Sequence, residues 1–143
     1  MKVLLINGPN LNLLGTREPG IYGHTTLCDI ETELNSIFKA RGIELSCYQS
    51  NHEGELVDFL HNNISADYAI INPGAFAHTS VALRDAFASV NTPFIEVHIS
   101  NLFSREEFRH HSYLSPIASG CIVGCGTNGY RMAAELIINR LKS

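Results

Sequence analysis

Apolar and polar positions along this chain switch between two periods. Short, nearly continuous apolar runs (KVLLIN, IELSCYQS, DYAIIN, PFIEVH and CIVGCG) are separated by longer stretches in which apolar residues recur three and four apart: TTLCDIETELNSIFKARG, HEGELVDFLHNNI, TSVALRDAFASV and NGYRMAAELIINRLK. A continuous apolar run predicts a strand buried on both faces, and the three-four spacing predicts an amphipathic helix. The clearest helix aligns Leu27, Ile30, Leu34, Ile37 and Phe38, with Thr26 as its N-cap and Gly42 as its stop. The pattern predicts about five strands with about four helices between or after them.

Strands alternating with helices imply a parallel sheet covered on both sides, and for this size the expectation is an α/β, flavodoxin-like three-layer sandwich with a five-stranded sheet in the order 2-1-3-4-5. The length of 143 residues fits one domain, residues 1–143, and neither an internal repeat nor a low-complexity linker interrupts it. This architecture also predicts where a ligand binds. In open parallel sheets the site lies beyond the carboxyl ends of the strands, where the strand order reverses. Strand 1 runs into Asn7, strand 3 into Asn72 with NPGAFAHTS, and strand 4 into His98 with ISNLFSREEFRHHS. These loops should crowd one edge. The first of them spans about 17 residues, a length typical of lids and binding loops.

Composition narrows the partner. A net charge of -4 and the lack of any Lys/Arg-rich block argue against nucleic acid, so a small molecule is expected. The apolar part of MKVLLINGPN is too short for a signal peptide, and no window approaches the roughly 20 apolar residues of a membrane helix. A soluble, cytoplasmic protein is the expectation. Cys28, Cys47, Cys121 and Cys125 are expected to be reduced core or interface residues. Were GCIVGCG one strand, its two thiols would share a face about 13 Å apart, too far for one metal or one disulfide. The seven histidines form no HExxH motif, and no metal is expected.

The loop NGPNLNLLGTREPGIYG lacks the Lys and hydroxyl of a phosphate loop and the Ser/Thr density of a flavin-phosphate loop. The acidic residues of a response regulator are replaced by Asn7 and Asn72. What remains is amides, Arg17 and Tyr22. A cation near a phenol favours the phenolate, which makes Tyr22 a candidate base, although spacing alone equally allows Tyr22 packed on the domain and Arg17 solvated. Two residues apart on a strand, Glu96 and His98 share a face, and a carboxylate beside an imidazole suits a general acid, although the pattern equally allows a structural, hydrogen-bonding histidine. Ser100 lacks the GxSxG elbow of a hydrolase nucleophile. Asn72 and His78 are placed to donate to a substrate oxygen, free N–H groups at that turn suit a carboxylate, and Thr79 or Ser80 caps the next helix. If SREEFRHHSYLS is helical, Arg105 and Arg109 share a face; as a charged run it is equally a solvated surface. A non-catalytic module that binds a small anion would use Asn72, His78 and Arg109 but not Tyr22 with His98.

Taken together, NGPNLNLLGTREPGIYG, SNHEGELVD, NPGAFAHTSVALRDA, EVHISN and REEFRHHSYLSPIASGCIVGCGTNGY resemble the type II 3-dehydroquinate dehydratases across essentially the whole chain. The resemblance implies dehydration of 3-dehydroquinate to 3-dehydroshikimate in the shikimate pathway, without metal, cofactor or Schiff base, by a homododecamer built as a tetramer of trimers. It implies Tyr22 as the base that forms an enolate, Arg17 as the residue promoting its phenolate, and Asn12 as the residue placing a water on the enolate oxygen. His98 is implied as the acid that protonates the departing hydroxyl, oriented by Glu96. Asn72, His78, Arg109 and the backbone around Ile99 and Ser100 resemble the substrate-binding set. Asp85 matches an acidic residue that reaches a neighbouring subunit's site.

Overall fold

The five apolar runs are strands of one parallel sheet in the order β2-β1-β3-β4-β5. They span Lys2–Asn7 (β1), Glu44–Gln49 (β2), Tyr68–Asn72 (β3), Phe94–His98 (β4) and Gly120–Val123 (β5). The computed structural model describes residues 1–16, 20 and 23–142. Among these, the helices are Leu27–Lys39 (α1), Glu53–His61 (α2), Val81–Val90 (α3) and Asn128–Leu141 (α4). The expected strand order and three-layer arrangement are therefore found.

Because side chains alternate across a strand, each central strand feeds two cores. Val3, Leu5, Tyr68, Ile70, Ile95 and Val97 pack on one face with Ile30, Leu34 and Phe38 of α1 and Tyr130, Ala134 and Ile137 of α4. Leu4, Ile6, Ala69, Ile71 and Phe94 pack on the other with Leu56 and Leu60 of α2 and Leu83 and Phe87 of α3. Each fully buried side chain of this size contributes about 1.5–3 kcal/mol, so the central strands β1, β3 and β4 are the rigid frame of the molecule.

The ends of the helices follow from local chemistry. Thr26 Oγ1 accepts from Asp29 N and Asp29 Oδ2 accepts from Thr26 N, a reciprocal capping box on α1. Gly42, with φ +70°, turns the chain out of α1 into β2. Ile37 is only partly buried, at the flank of the stripe. At α3 the cap is Ser80, whose Oγ accepts from Leu83 N at 2.9 Å.

Two readings that the sequence left open are decided by the fold. The segment carrying Arg105 and Arg109 is not an α-helix but two single 3-10 turns, Leu102–Ser104 and Glu107–Arg109. Asn101 Oδ1 accepts from Phe103 N and Ser104 Oγ donates to Asn101 O, so short polar side chains take the bonds a helix would need. GCIVGCG is likewise not one strand. β5 ends at Val123, and Gly124 and Gly126 adopt positive φ, which carries Cys125 off the sheet. All four cysteines are free; Cys47 is partly buried against the core, and Cys28, Cys121 and Cys125 are exposed on the single chain.

Candidate active site

The carboxyl ends of β1, β3 and β4 meet as the topology requires, and close backbone stacking fixes how they meet. Gly8 N donates to Asn72 O at 2.8 Å. A Cβ on Gly8 would lie 2.3 Å from Pro73 O, so no other residue fits there without moving the backbone. Beyond this contact opens a cleft. The first loop lines it with Pro9, Asn10, Leu11 and Leu14, the β3 loop with Asn72, Gly74, Ala75 and His78, and the end of β4 with His98, Ile99 and Ser100. Leu102, Arg105 and Arg109 also line it.

Glu96 and His98 lie on the same face of β4, both almost fully buried, and His98 Nε2 lies 2.6 Å from Glu96 Oε2. Ser112 Oγ donates to Glu96 Oε2 at 2.8 Å and Ser115 Oγ to Oε1 at 2.6 Å, while Cys121 Sγ lies 3.9 Å from Oε1. Burial alone pushes this carboxyl up. The hydrogen bonds from His98, Ser115 and Ser112 outweigh it and hold the group below its ordinary range. A carboxylate fixed in this way accepts a hydrogen bond from Nε2–H and leaves Nδ1 of His98 as the ring nitrogen available to a ligand in the cleft.

His78 Nδ1 lies 2.7 Å from the carbonyl oxygen of His111, so Nδ1–H donates. Burial, with the charges of His98 and Arg109, depresses its pKa, and the ring is held neutral. Its Nε2 therefore bears no proton and accepts. The sequence expectation of a donor is corrected here: His78 suits a ligand hydroxyl, whereas Asn72 keeps donor capacity. The rings of His78 and His98 lie 6.2 Å apart, close enough for one small molecule to touch both. Arg109 Nε donates to Glu106 Oε2 at 2.6 Å, which aims the guanidinium while its other nitrogens remain for the cleft. Arg105 Nη1 donates to Ser100 Oγ at 3.3 Å. Both guanidiniums also face the Glu106 carboxylate, Arg105 at 4.0 Å and Arg109 at 2.6 Å, so the trio brings one net positive charge to the cleft, suited to a carboxylate or an enolate.

A family model described as dehydroquinase class II matches residues 1–138. The chain belongs to this family. Among relatives of the dehydroquinase chain, a protein named catabolic 3-dehydroquinase 2 from Neosartorya fischeri is 56% identical over 142 residues, covering 99% of this chain and 95% of that one. A 3-dehydroquinate dehydratase from Proteus mirabilis is 58% identical over 140 residues, covering 97% of this chain and 95% of that one. The crystal structure of type II dehydroquinase from Butyrivibrio crossotus superimposes with a TM-score of 0.91 at 49% identity, covering 100% of this chain and 98% of that one.

Of the residues singled out in this dehydroquinase sequence, Asn72, His78, His98, Ile99, Ser100 and Arg109 are brought together around the cleft, with Glu96 behind His98. Asn12 is exposed on the 3-10 turn Leu11–Leu13, next to the lining residue Leu11 but not itself lining. Asp85 is exposed on α3, away from the cleft of its own chain. Arg17 and Tyr22 lie outside the described residues. Sequence reasoning missed Ser112, Ser115 and Tyr130. The serines stand 16 and 19 residues from the carboxylate they hold, with no local spacing to link them. Among the described residues no group of three or more His, Cys, Asp or Glu side chains is placed to hold a metal ion, and no helix is long and apolar enough to cross a membrane.

Proposed function

We propose that this dehydroquinase is a hydro-lyase that removes water from 3-dehydroquinate to give 3-dehydroshikimate by way of an enolate, serving aromatic biosynthesis through the shikimate pathway. The observation that carries the mechanism is the buried Glu96–His98 pair, 2.6 Å apart, at the rim of a cleft whose other groups suit a carboxylated, hydroxylated ring.

The reaction divides into two proton transfers. The Tyr22 phenolate, favoured by Arg17, takes the proton next to the ketone, and its electron pair passes into the carbonyl as an enolate. Asn12 holds a water against the enolate oxygen. As the enolate collapses, the carbon–oxygen bond to the β-hydroxyl breaks. His98 gives its Nδ1 proton to that oxygen, which leaves as water. The ionised Glu96 supports the imidazolium before transfer and keeps the ring in place afterwards. Proton exchange with solvent returns Tyr22 and His98 to their starting states. Asn72 and the backbone N–H groups around Ile99 and Ser100 suit the substrate carboxylate, and His78 and Arg109 suit its hydroxyls.

One catalytic domain, residues 1–143, carries this chemistry without metal, cofactor or imine. It is cytoplasmic, and it assembles as a homododecamer, a tetramer of trimers, in which Asp85 reaches a neighbouring protomer's site. The position of Asp85, exposed and away from its own cleft, supports that role.

The test is ultraviolet detection of the enone formed from 3-dehydroquinate, with chelator and after borohydride treatment in the presence of 3-dehydroquinate followed by removal of the reagents. Turnover should survive both. Loss of turnover after borohydride would indicate an imine, and loss with chelator a metal. Sedimentation should give about twelve times the 15.7 kDa chain mass, and an active isolated monomer would refute the shared site.

A further inference from the structure

One fully buried polar group plays no part in the proton transfers. Tyr130 of α4 is 0% exposed in the core beneath the cleft, where a Phe would fill the same volume. Its hydroxyl is nonetheless engaged twice. It donates to Asn7 Oδ1 at 2.6 Å and accepts from Asn72 Nδ2 at 2.9 Å. A chain of hydrogen bonds thus joins the carboxyl ends of β1 and β3 through a helix packed below both.

The direction of that chain is forced. Gly74 N lies 3.1 Å from Asn72 Oδ1 and can only donate, so Oδ1 must accept. Nδ2 then faces Tyr130, and because it can only donate, the phenol oxygen must accept there and its O–H donates to Asn7 Oδ1. Burial raises the pKa of this phenol well above its ordinary value, and the proton stays in place. Each of the three groups has one compatible orientation. An amide otherwise has two, related by a flip that exchanges donor and acceptor.

The geometry points to Tyr130 as a positioning residue for substrate binding: with Gly74 N–H setting the flip of the Asn72 amide, the Tyr130 hydroxyl holds one Nδ2 proton and so aims the other at an acceptor on the ligand in the cleft that Asn72 lines. The acceptor is of the kind a carboxylate or carbonyl oxygen provides. This inference rests on the dehydratase reading for the identity of the ligand.

The test is a double-mutant cycle of Tyr130→Phe with Asn72→Ala, reading KM and kcat for 3-dehydroquinate. Tyr130→Phe should raise KM about three- to tenfold, the equivalent of one neutral hydrogen bond, with kcat falling by less. In the Asn72→Ala background it should add little. An unchanged KM in Tyr130→Phe, or the same effect in both backgrounds, would overturn the proposal, because a general loosening of the core does not depend on Asn72. Should Tyr130→Phe fail to fold, Asn7→Ala enters the same cycle from the other end of the chain, with the same expected and overturning results. A wild-type protein without turnover counts against the dehydratase reading, and the cycle is then read from calorimetric binding of 3-dehydroquinate.

Discussion

Ser115→Ala removes one donor from a buried carboxylate, together with the contact between its hydroxyl and the Cys121 thiol. Ser115 Oγ donates to Glu96 Oε1 at 2.6 Å. Ser112 is a poorer target, because its Oγ also accepts from Leu114 N and Ser115 N, and those would be orphaned too. A hydrogen bond to a charged group contributes about 1.5–3 kcal/mol. Glu96 is 1% exposed, which limits replacement by water, so the loss at neutral pH should be about 2 kcal/mol. The pH dependence has a definite sign. The folded-state pKa of Glu96 is depressed, so its contribution is full above the unfolded value of about 4.3 and is lost as pH falls through the lower folded value. Losing Ser115 raises the folded value. The penalty is therefore complete at pH 7 and fades in acid. At about 2–4 °C per kcal/mol for a chain of this size, thermal unfolding at pH 7 should shift down by about 4–8 °C. The shift should shrink below about pH 4, and Ser115→Thr, which keeps the hydroxyl, should recover most of it. A shift of equal size across the whole acid range, or none at pH 7, would refute the reasoning.

Further outcomes follow from the same geometry. Gly8→Ala places a methyl against Pro73 O, so the β1 and β3 loops must part; about 1–3 kcal/mol of stability should be lost, measured by urea unfolding, together with turnover. Arg109→Ala should raise KM about tenfold or more, and Arg109→Lys should recover only part of it, since the paired Nε–Glu106 contact that aims the guanidinium is lost. Protonating His78 turns Nε2 from acceptor to donor, so KM should rise as pH falls through its depressed value, below the ordinary 6.5; in His78→Gln that limb of the KM profile should be absent.

The strands, both cores and the binding edge were legible in the sequence because all rest on the alternation of continuous apolar runs with helically spaced stretches, and burial on both faces leaves β1, β3 and β4 no polar alternation to confuse it. Thr26 and Gly42 were legible because capping is local. The turns of SNLFSREEFR were not, since Asn101 and Ser104 compete with a helix through bonds that charge spacing does not reveal. The site divides along the same line. Glu96 and His98 are two residues apart and showed themselves. Ser112 and Ser115, which set the charge of Glu96, and Tyr130, which bonds Asn7 and Asn72, act across long separations that only the folded chain closes. The polarity of His78 depends on a single carbonyl, that of His111, and no motif encodes it.

The central claim is that base and acid act in sequence around an enolate, with His98 as the acid. It is tested most directly by incubating His98→Gln with 3-dehydroquinate in heavy water and following the proton next to the ketone by NMR. The account predicts that this proton exchanges for deuterium while enone formation is nearly abolished, because Tyr22 still forms the enolate but the hydroxyl no longer leaves. Bound substrate that neither exchanges nor dehydrates would contradict it and place His98 in the first proton transfer instead.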